Sequence, residues 1–341
     1  MMLAALLAAA SCPAGASLNY VCGAEHPEDV VALPGTRWLI ASGFAPGAGL
    51  KLVDSERHVA TRWYDGGPPQ IDPDPAVACP APVDPALFNA RGLSLRKEAD
   101  GGYTLYAVNH GGRESIEMFG VTIDDDRPKL RWRGCWMMPP GQVGNAVARF
   151  ADGTLLVTVL TRPGTTIADF VLGKRTGAVW QWKPGATAFT ELRGTRLPGN
   201  NGLETDPDER HFYVVSFGWH AVLAYDRRHP NQPLRTIEMP GFMPDNVHWT
   251  AGRLVAAGMR LDEPACGGLR KIVNGEADRM LCHRGYAVAA IDPLAGTTTT
   301  LAYGEPEPAF NGVSAAAIVG DTLWLGSYQA DRLAYRRLPG R

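Results

Sequence analysis

No block of lysine or arginine occurs anywhere in the 341 residues, and the formal net charge is only -2. The basic footprint that grips a phosphate backbone is therefore missing, which excludes nucleic acid as the evident partner. No two cysteines stand as a CxxC pair, so neither a zinc knuckle nor a thioredoxin-type redox site is indicated. Beyond residue 16, no segment approaches the roughly 18 consecutive apolar residues that a membrane-spanning helix needs, and the body of the chain reads as soluble. Nor does any stretch between the apolar runs read as a long amphipathic helix, which removes doubly wound domains because they need such helices as crossovers. Charged residues are scarce at 20%, against 45% hydrophobic, which leaves material for a sizeable core and excludes a disordered chain.

What is abundant is punctuation. The 39 glycines and 27 prolines stand between short apolar runs, as they do in an all-β chain with many turns. One unit is especially clear: Asn201 to Ser216 reads as a short strand, an Asp-rich turn and an apolar strand, and a third strand follows over Ala221 to Tyr225. The same grammar recurs at Glu28 to Ser42, Arg91 to Asn109, Asn145 to Leu160, Asp245 to Met259 and Asn311 to Ser327, each followed by a further amphipathic strand. Six repeats of strand, turn, strand and strand predict a six-bladed β-propeller, in which radial repetition leaves only short sheet edges. Two stretches fall outside the pattern and are expected to be loop insertions over one face: 64–87, dense in Pro and Asp, and 260–284.

Residues 1–16 form an apolar Ala/Leu run followed by small residues, which reads as a secretory signal. Residues 17–341 then form a single domain, secreted or periplasmic. Ala10-Ser11-Cys12 also loosely matches the approach to a lipid-modified cysteine, a lipid anchor at Cys12 being the second option. Six cysteines suit an oxidising compartment. Cys266 and Cys282 bracket the Gly-rich insertion and are expected to staple it, whereas the partners of the others are not legible.

The residue that opens the first strand of several units carries an oxygen: Glu28, Asn145, Asn201 and the pair Asp245-Asn246. In a propeller these strands line the central channel, so equivalent positions converge on one axis. Two carboxylates and three carboxamides, with no His or Cys, make a hard-oxygen set suited to Ca²⁺ at the channel mouth. The competing reading is that Asn and Asp merely cap turns at strand ends.

At these residues the sequence resembles the paraoxonase (arylesterase/lactonase) family and, more distantly, the SMP-30/gluconolactonase proteins. The resemblance runs from about Glu25 to the end through 27–34, Leu-Tyr-Ala-Val-Asn-His at 105–110, Ile-Glu-Met-Phe at 116–119, 201–208 and Asp-Asn-Val at 245–247. It implies that Glu28, Asn145, Asn201, Asp245 and Asn246 match the ligands of a catalytic calcium, and that His110 is an active-site histidine. It also implies a second, structural ion near Asp29 and the Leu93 carbonyl, but the other Asp of that site falls at Ala146. The family's second active-site histidine is replaced by Arg91, so no two-histidine dyad can form; Arg91 is instead a candidate to orient an anionic substrate or to supplement the oxyanion hole. No cysteine follows Cys282, so the ring must close by pairing of terminal strands.

The expected function is calcium-dependent hydrolysis of an ester or lactone, with Asp245 or His110 as the base. One alternative is a non-catalytic binding propeller with a structural calcium. A second is a sugar-acid lactonase of gluconolactonase type.

Overall fold

Each turn-bounded apolar run forms a short antiparallel strand beside its neighbour in sequence, and the computed structural model describes residues 12–69, 79 and 81–339 in this arrangement. Six four-stranded sheets result. Blade I spans 30–62, blade II 90–137, blade III 144–191, blade IV 200–238 and blade V 242–304. Blade VI takes three strands from 313–337 and its outermost strand from Asn19–Cys22 at the other end of the chain. The six-bladed propeller expected from the repeat is thus observed, and each innermost strand begins within three residues of the start of its repeat.

Apolar clusters lie between neighbouring sheets all the way round. Val31, Ile40, Leu93 and Phe119 join blades I and II; Val108, Met118, Val147 and Val157 join II and III; the series continues until Val30, Leu39, Ala315 and Trp324 join VI back to I. Each sheet buries both faces, and the core is a ring of interfaces around the channel rather than a single centre.

Closure is by strand pairing, as expected: Asn19 faces Tyr335, Tyr20 faces Ala334 and Val21 faces Leu333. Glu307 fixes the entering segment, accepting from the Ser17 N–H at 2.8 Å and the Ser17 hydroxyl at 2.7 Å. Cys12 is bonded to Cys22, a pairing that was not legible in the sequence. Residues 1–11 of the expected leader lie outside the described residues. Cys266 and Cys282 are bonded as expected, and Cys79 pairs with Cys135. No described helix is long and apolar enough to cross a membrane.

Insertion 261–285 between the second and third strands of blade V holds a short 3₁₀ turn, Pro264–Cys266, and a small hairpin, Ile272–Val273 with Glu276–Ala277. The hairpin leans on the one described α-helix, Ile167–Val171 of blade III. That helix is set by a capping box between Thr166 and Asp169. Of the second expected insertion, 70–78 and 80 lie outside the described residues.

Candidate metal centre and substrate cavity

The innermost strands of blades II to VI do not pair evenly with their neighbours. The register slips between Ala90 and Leu93, Gly144 and Val147, Asn200 and Leu203, Pro244 and Val247, and Val313 and Ala315. These are β-bulges at one height around the channel, and a bulge re-aims the side chain it releases from the ladder. The residues released are Arg91, Asn145, Asn201, Asp245 with Asn246, and Ser314; Glu28 holds the matching position just before the first strand of blade I. Ser314 completes the sixth blade and was not legible as a site residue, because a lone serine in an Ala/Val run carries no motif. Its hydroxyl donates to the Glu28 carbonyl at 2.5 Å.

Small residues let the bulges approach one another. A Cβ on Gly202 would stand 2.7 Å from the Asp245 carbonyl, and one on Gly92 2.5 Å from the Asn145 carbonyl. Thr158 joins two bulges, accepting from the Ala146 N–H at 3.0 Å and donating to the Asn201 carbonyl at 2.6 Å.

Glu28, Asn145, Asn201 and Asp245 face a cavity of about 550 Å³ at this end of the channel. Asn246 is buried beside them but does not line it, and its amide donates to the Glu28 carbonyl at 3.4 Å. Burial lifts the Glu28 pKa well above the usual carboxylate range, opposed by Arg91 and reinforced by Asp245 and Asp29. Burial likewise pushes Asp245 up to about 7, against a hydrogen bond from Asn201. Two carboxylates crowded in a dry place call for a counter-charge.

Glu28 Oε2, Asn145 Oδ1 and Asn201 Oδ1, from three blades, are buried without a hydrogen-bond donor among the described residues. Leaving a buried acceptor unpaired costs about 1–3 kcal/mol, and a hard cation would satisfy all three together. The donors that line the cavity here are carboxylate and carboxamide oxygens, with no described imidazole or thiolate beside them, and they are those of an oxygen-ligated ion rather than of zinc or copper. The set fits Ca²⁺.

Below the ring, Asp29 is already occupied. Its Oδ1 accepts from the Val30 N–H at 2.8 Å and faces His248 Nε2 at 2.7 Å, while its Oδ2 accepts from the Leu93 N–H at 2.7 Å. The other ring nitrogen of His248 lies 3.5 Å from Glu204. Burial opposes a charge on His248, but Asp29 and Glu204 outweigh it and raise its pKa to about 10. Where a second ion was expected, Asp29 thus meets the His248 ring and the N–H groups of Val30 and Leu93.

Arg91 and His110 stand apart from the cavity. Arg91 lies over the Phe44 ring, and Phe44, not Arg91, lines the wall. Burial brings the Arg91 pKa down to about 10, against Glu28 and Glu114. His110 Nδ1 is 3.3 Å from Glu114, and its Nε2 is buried without a partner among the described residues.

The walls come from residues that the sequence did not single out: Phe44, Leu160, Phe170, Phe217, Met280 and Tyr328. The insertion 261–285 roofs the cavity and adds Arg270 and Arg279, whereas no described residue of 64–87 lines it. His220 borders a smaller apolar pocket behind Arg270, and burial lowers its pKa.

The fold belongs with the six-bladed propellers whose solved members include gluconolactonase- and SMP-30-like proteins. Three structures illustrate the likeness. A presumptive gluconolactonase matches over 96% of this chain and 94% of its own, at 16% identity and TM-score 0.55. A luciferin-regenerating enzyme matches over 95% of each chain at 12% identity and TM-score 0.53. Regucalcin, a calcium-binding protein from Agrobacterium tumefaciens, matches over 97% of each chain at 13% identity and TM-score 0.51. At such identities the likeness is one of fold. No family model matches the sequence, and no curated protein sequence matches it.

Proposed function

We propose that the protein is a calcium-dependent hydrolase of carboxylic esters or lactones, exported to an oxidising compartment. The observation that carries this reading is the set of donor-starved oxygens of Glu28, Asn145 and Asn201 at the base of an apolar-walled cavity of about 550 Å³. A small molecule fits such a cavity. Bound there, Ca²⁺ would polarise a carbonyl as a Lewis acid.

The chain's own residues supply the rest. Glu28, Asn145 and Asn201 would hold the ion, and Asn246 holds the Glu28 backbone in place through its amide. Asp245 lines the cavity and His110 does not, which favours Asp245 as the base. It would take a proton from water as the water oxygen bonds the carbonyl carbon. The C–O bond of the ester or ring then breaks, and the proton passes to the departing oxygen. The remaining water proton leaves to solvent, so the products are a carboxylate and an alcohol, joined in one molecule if the substrate was a lactone. The apolar walls fit an aryl or alkyl body better than a sugar, so the gluconolactonase-type alternative is the weaker one. The three disulfides support a secreted or periplasmic location.

A second reading, a binding propeller with a structural calcium, is favoured by the absence of any histidine among the cavity-lining residues. One experiment separates the two. The purified protein is assayed on phenyl esters and on γ- and δ-lactones with calcium and after chelation, alongside Asn201→Ala and Asp245→Ala. A hydrolase loses turnover on chelation and loses about 100-fold or more in kcat in both variants, the scale expected for removing transition-state charge stabilisation. If calcium raises Tm yet no ester or lactone is turned over, the binding reading replaces it.

A further inference from the structure

Four arginines flank or sit on the insertion that roofs the cavity, and they differ in how they are satisfied. Arg260 is ion-paired with Glu263 and Glu305. Arg284 is buried and donates to the carbonyls of Leu261 at 3.0 Å and Gly268 at 2.9 Å. These two hold the insertion together. Arg270 is different. Its Nε donates to the Asp278 carbonyl at 2.9 Å, but neither terminal nitrogen donates to any described residue, and no described carboxylate lies within ion-pair distance. The Asp278 carboxylate is itself engaged by the Met280 N–H at 3.1 Å.

Arg270 lines the same cavity as the oxygen ring. Its guanidinium carbon lies 6.0 Å from the Phe170 ring centroid, against an aromatic wall. Tyr328 senses both ends of the space: after burial, Asp245 is the strongest influence raising its pKa and Arg270 the strongest lowering it. The cavity therefore has an acidic floor built for a cation, aromatic walls, and a roof carrying a guanidinium with open donors; Arg279 adds a second positive charge and the exposed Glu276 one negative charge at the rim. A planar guanidinium with both terminal nitrogens open matches a carboxylate in bidentate fashion.

We propose that Arg270 is the specificity residue for an anionic end of the substrate, so that the ester or lactone hydrolysed here carries a second, free carboxylate on an otherwise apolar body. This inference rests on the hydrolase reading above. It moves the anion-binding role that the sequence suggested for Arg91 to a residue that faces the cavity.

The test compares a γ-lactone bearing a terminal carboxylate with the same lactone bearing a primary carboxamide, in the wild type, Arg270→Gln and Arg270→Lys. Turnover and calorimetric binding are both measured with calcium present. The expected result is a wild-type preference for the acid of about 10-fold or more in kcat/KM, the scale of a charge-assisted bidentate pair. The preference should reside mainly in KM, collapse toward unity in Arg270→Gln and return in part in Arg270→Lys. If the carboxamide is hydrolysed as well as the acid, or the preference survives in Arg270→Gln, the inference is overturned while the hydrolase reading stands. If neither is hydrolysed, the hydrolase reading fails, and the calorimetric preference still decides whether Arg270 binds the anion.

Discussion

Gly202 sits where the ring has no room for a side chain, because a Cβ there would meet the Asp245 carbonyl at 2.7 Å and the Asn246 Cα at 2.8 Å. The clash is with backbone, so the bulges that aim the ligands must move. Gly202→Ala is expected to lower Tm by an amount corresponding to about 1–3 kcal/mol and to weaken calcium binding, read by calorimetry. Gly67→Ala meets nothing closer than 3.6 Å and should stay within about 0.5 kcal/mol of the wild type. At this scale the sequence was informative about polar residues and silent about apolar ones. Glu28, Asn145, Asn201 and Asp245 recur at one point of a repeat, a signal that periodicity exposes, and the structure brings them to one cavity. Phe170 and Phe217 look like any core aromatics until the fold places them on a wall. Arg91 and His110 were reached through motif resemblance, which carries no information about which side chains line the cavity.

Among the elements, the insertion 261–285 is the one that gives the cavity a roof. It has little regular structure, and the Cys266–Cys282 bond, Arg284 and the pair between Arg260 and Glu263 hold its shape. Closing a loop of about 15 residues restricts the unfolded chain by about 3 kcal/mol in the chain-entropy view. The blades make no use of this bond, so Cys266→Ala with Cys282→Ala should loosen the roof and leave the propeller folded. The expected readout is faster hydrogen exchange confined to about 261–285 and a KM raised several-fold, with far-ultraviolet circular dichroism unchanged. Loss of the whole β signal would show that the bond supports the propeller itself. The blade strands were legible because their apolar alternation is local. The helix Ile167–Val171 was not, although Thr166 and Asp169 form a capping box, since five residues are too few to show a period.

The whole molecule is a ring whose two ends must meet, and the meeting place is the edge of blade VI. Glu307 anchors the N-terminal strand there: burial tends to raise its pKa, but hydrogen bonds from Ser17, Ala16 and Tyr20 prevail and hold it below the usual value. A carboxyl depressed in the folded state stabilises fully above its unfolded pKa, near 4.3, and loses that contribution as pH falls through the lower folded value. Acidification below about pH 4 should therefore free the N-terminal segment to proteolysis, and Glu307→Gln should free it already at neutral pH. Equal protection of both proteins at pH 7 would refute this anchor. The Cys12–Cys22 bond belongs to the same closure, so a mature protein that keeps this bond is expected to begin at or before Cys12 when its N-terminus is sequenced.

By itself the sequence determined the number of blades, the strand grammar, the all-β class and the oxygen-bearing positions at the head of each repeat. Those properties follow from local alternation and from a period that needs no knowledge of distant contacts. Only the tertiary structure decided that Cys12 pairs with Cys22, that His248 meets Asp29, and that Arg270 rather than Arg91 faces the cavity. Each of these depends on which side chains meet across blades. That is fixed by ring closure and by how bulges and insertions turn side chains inward, and no single stretch of sequence encodes it.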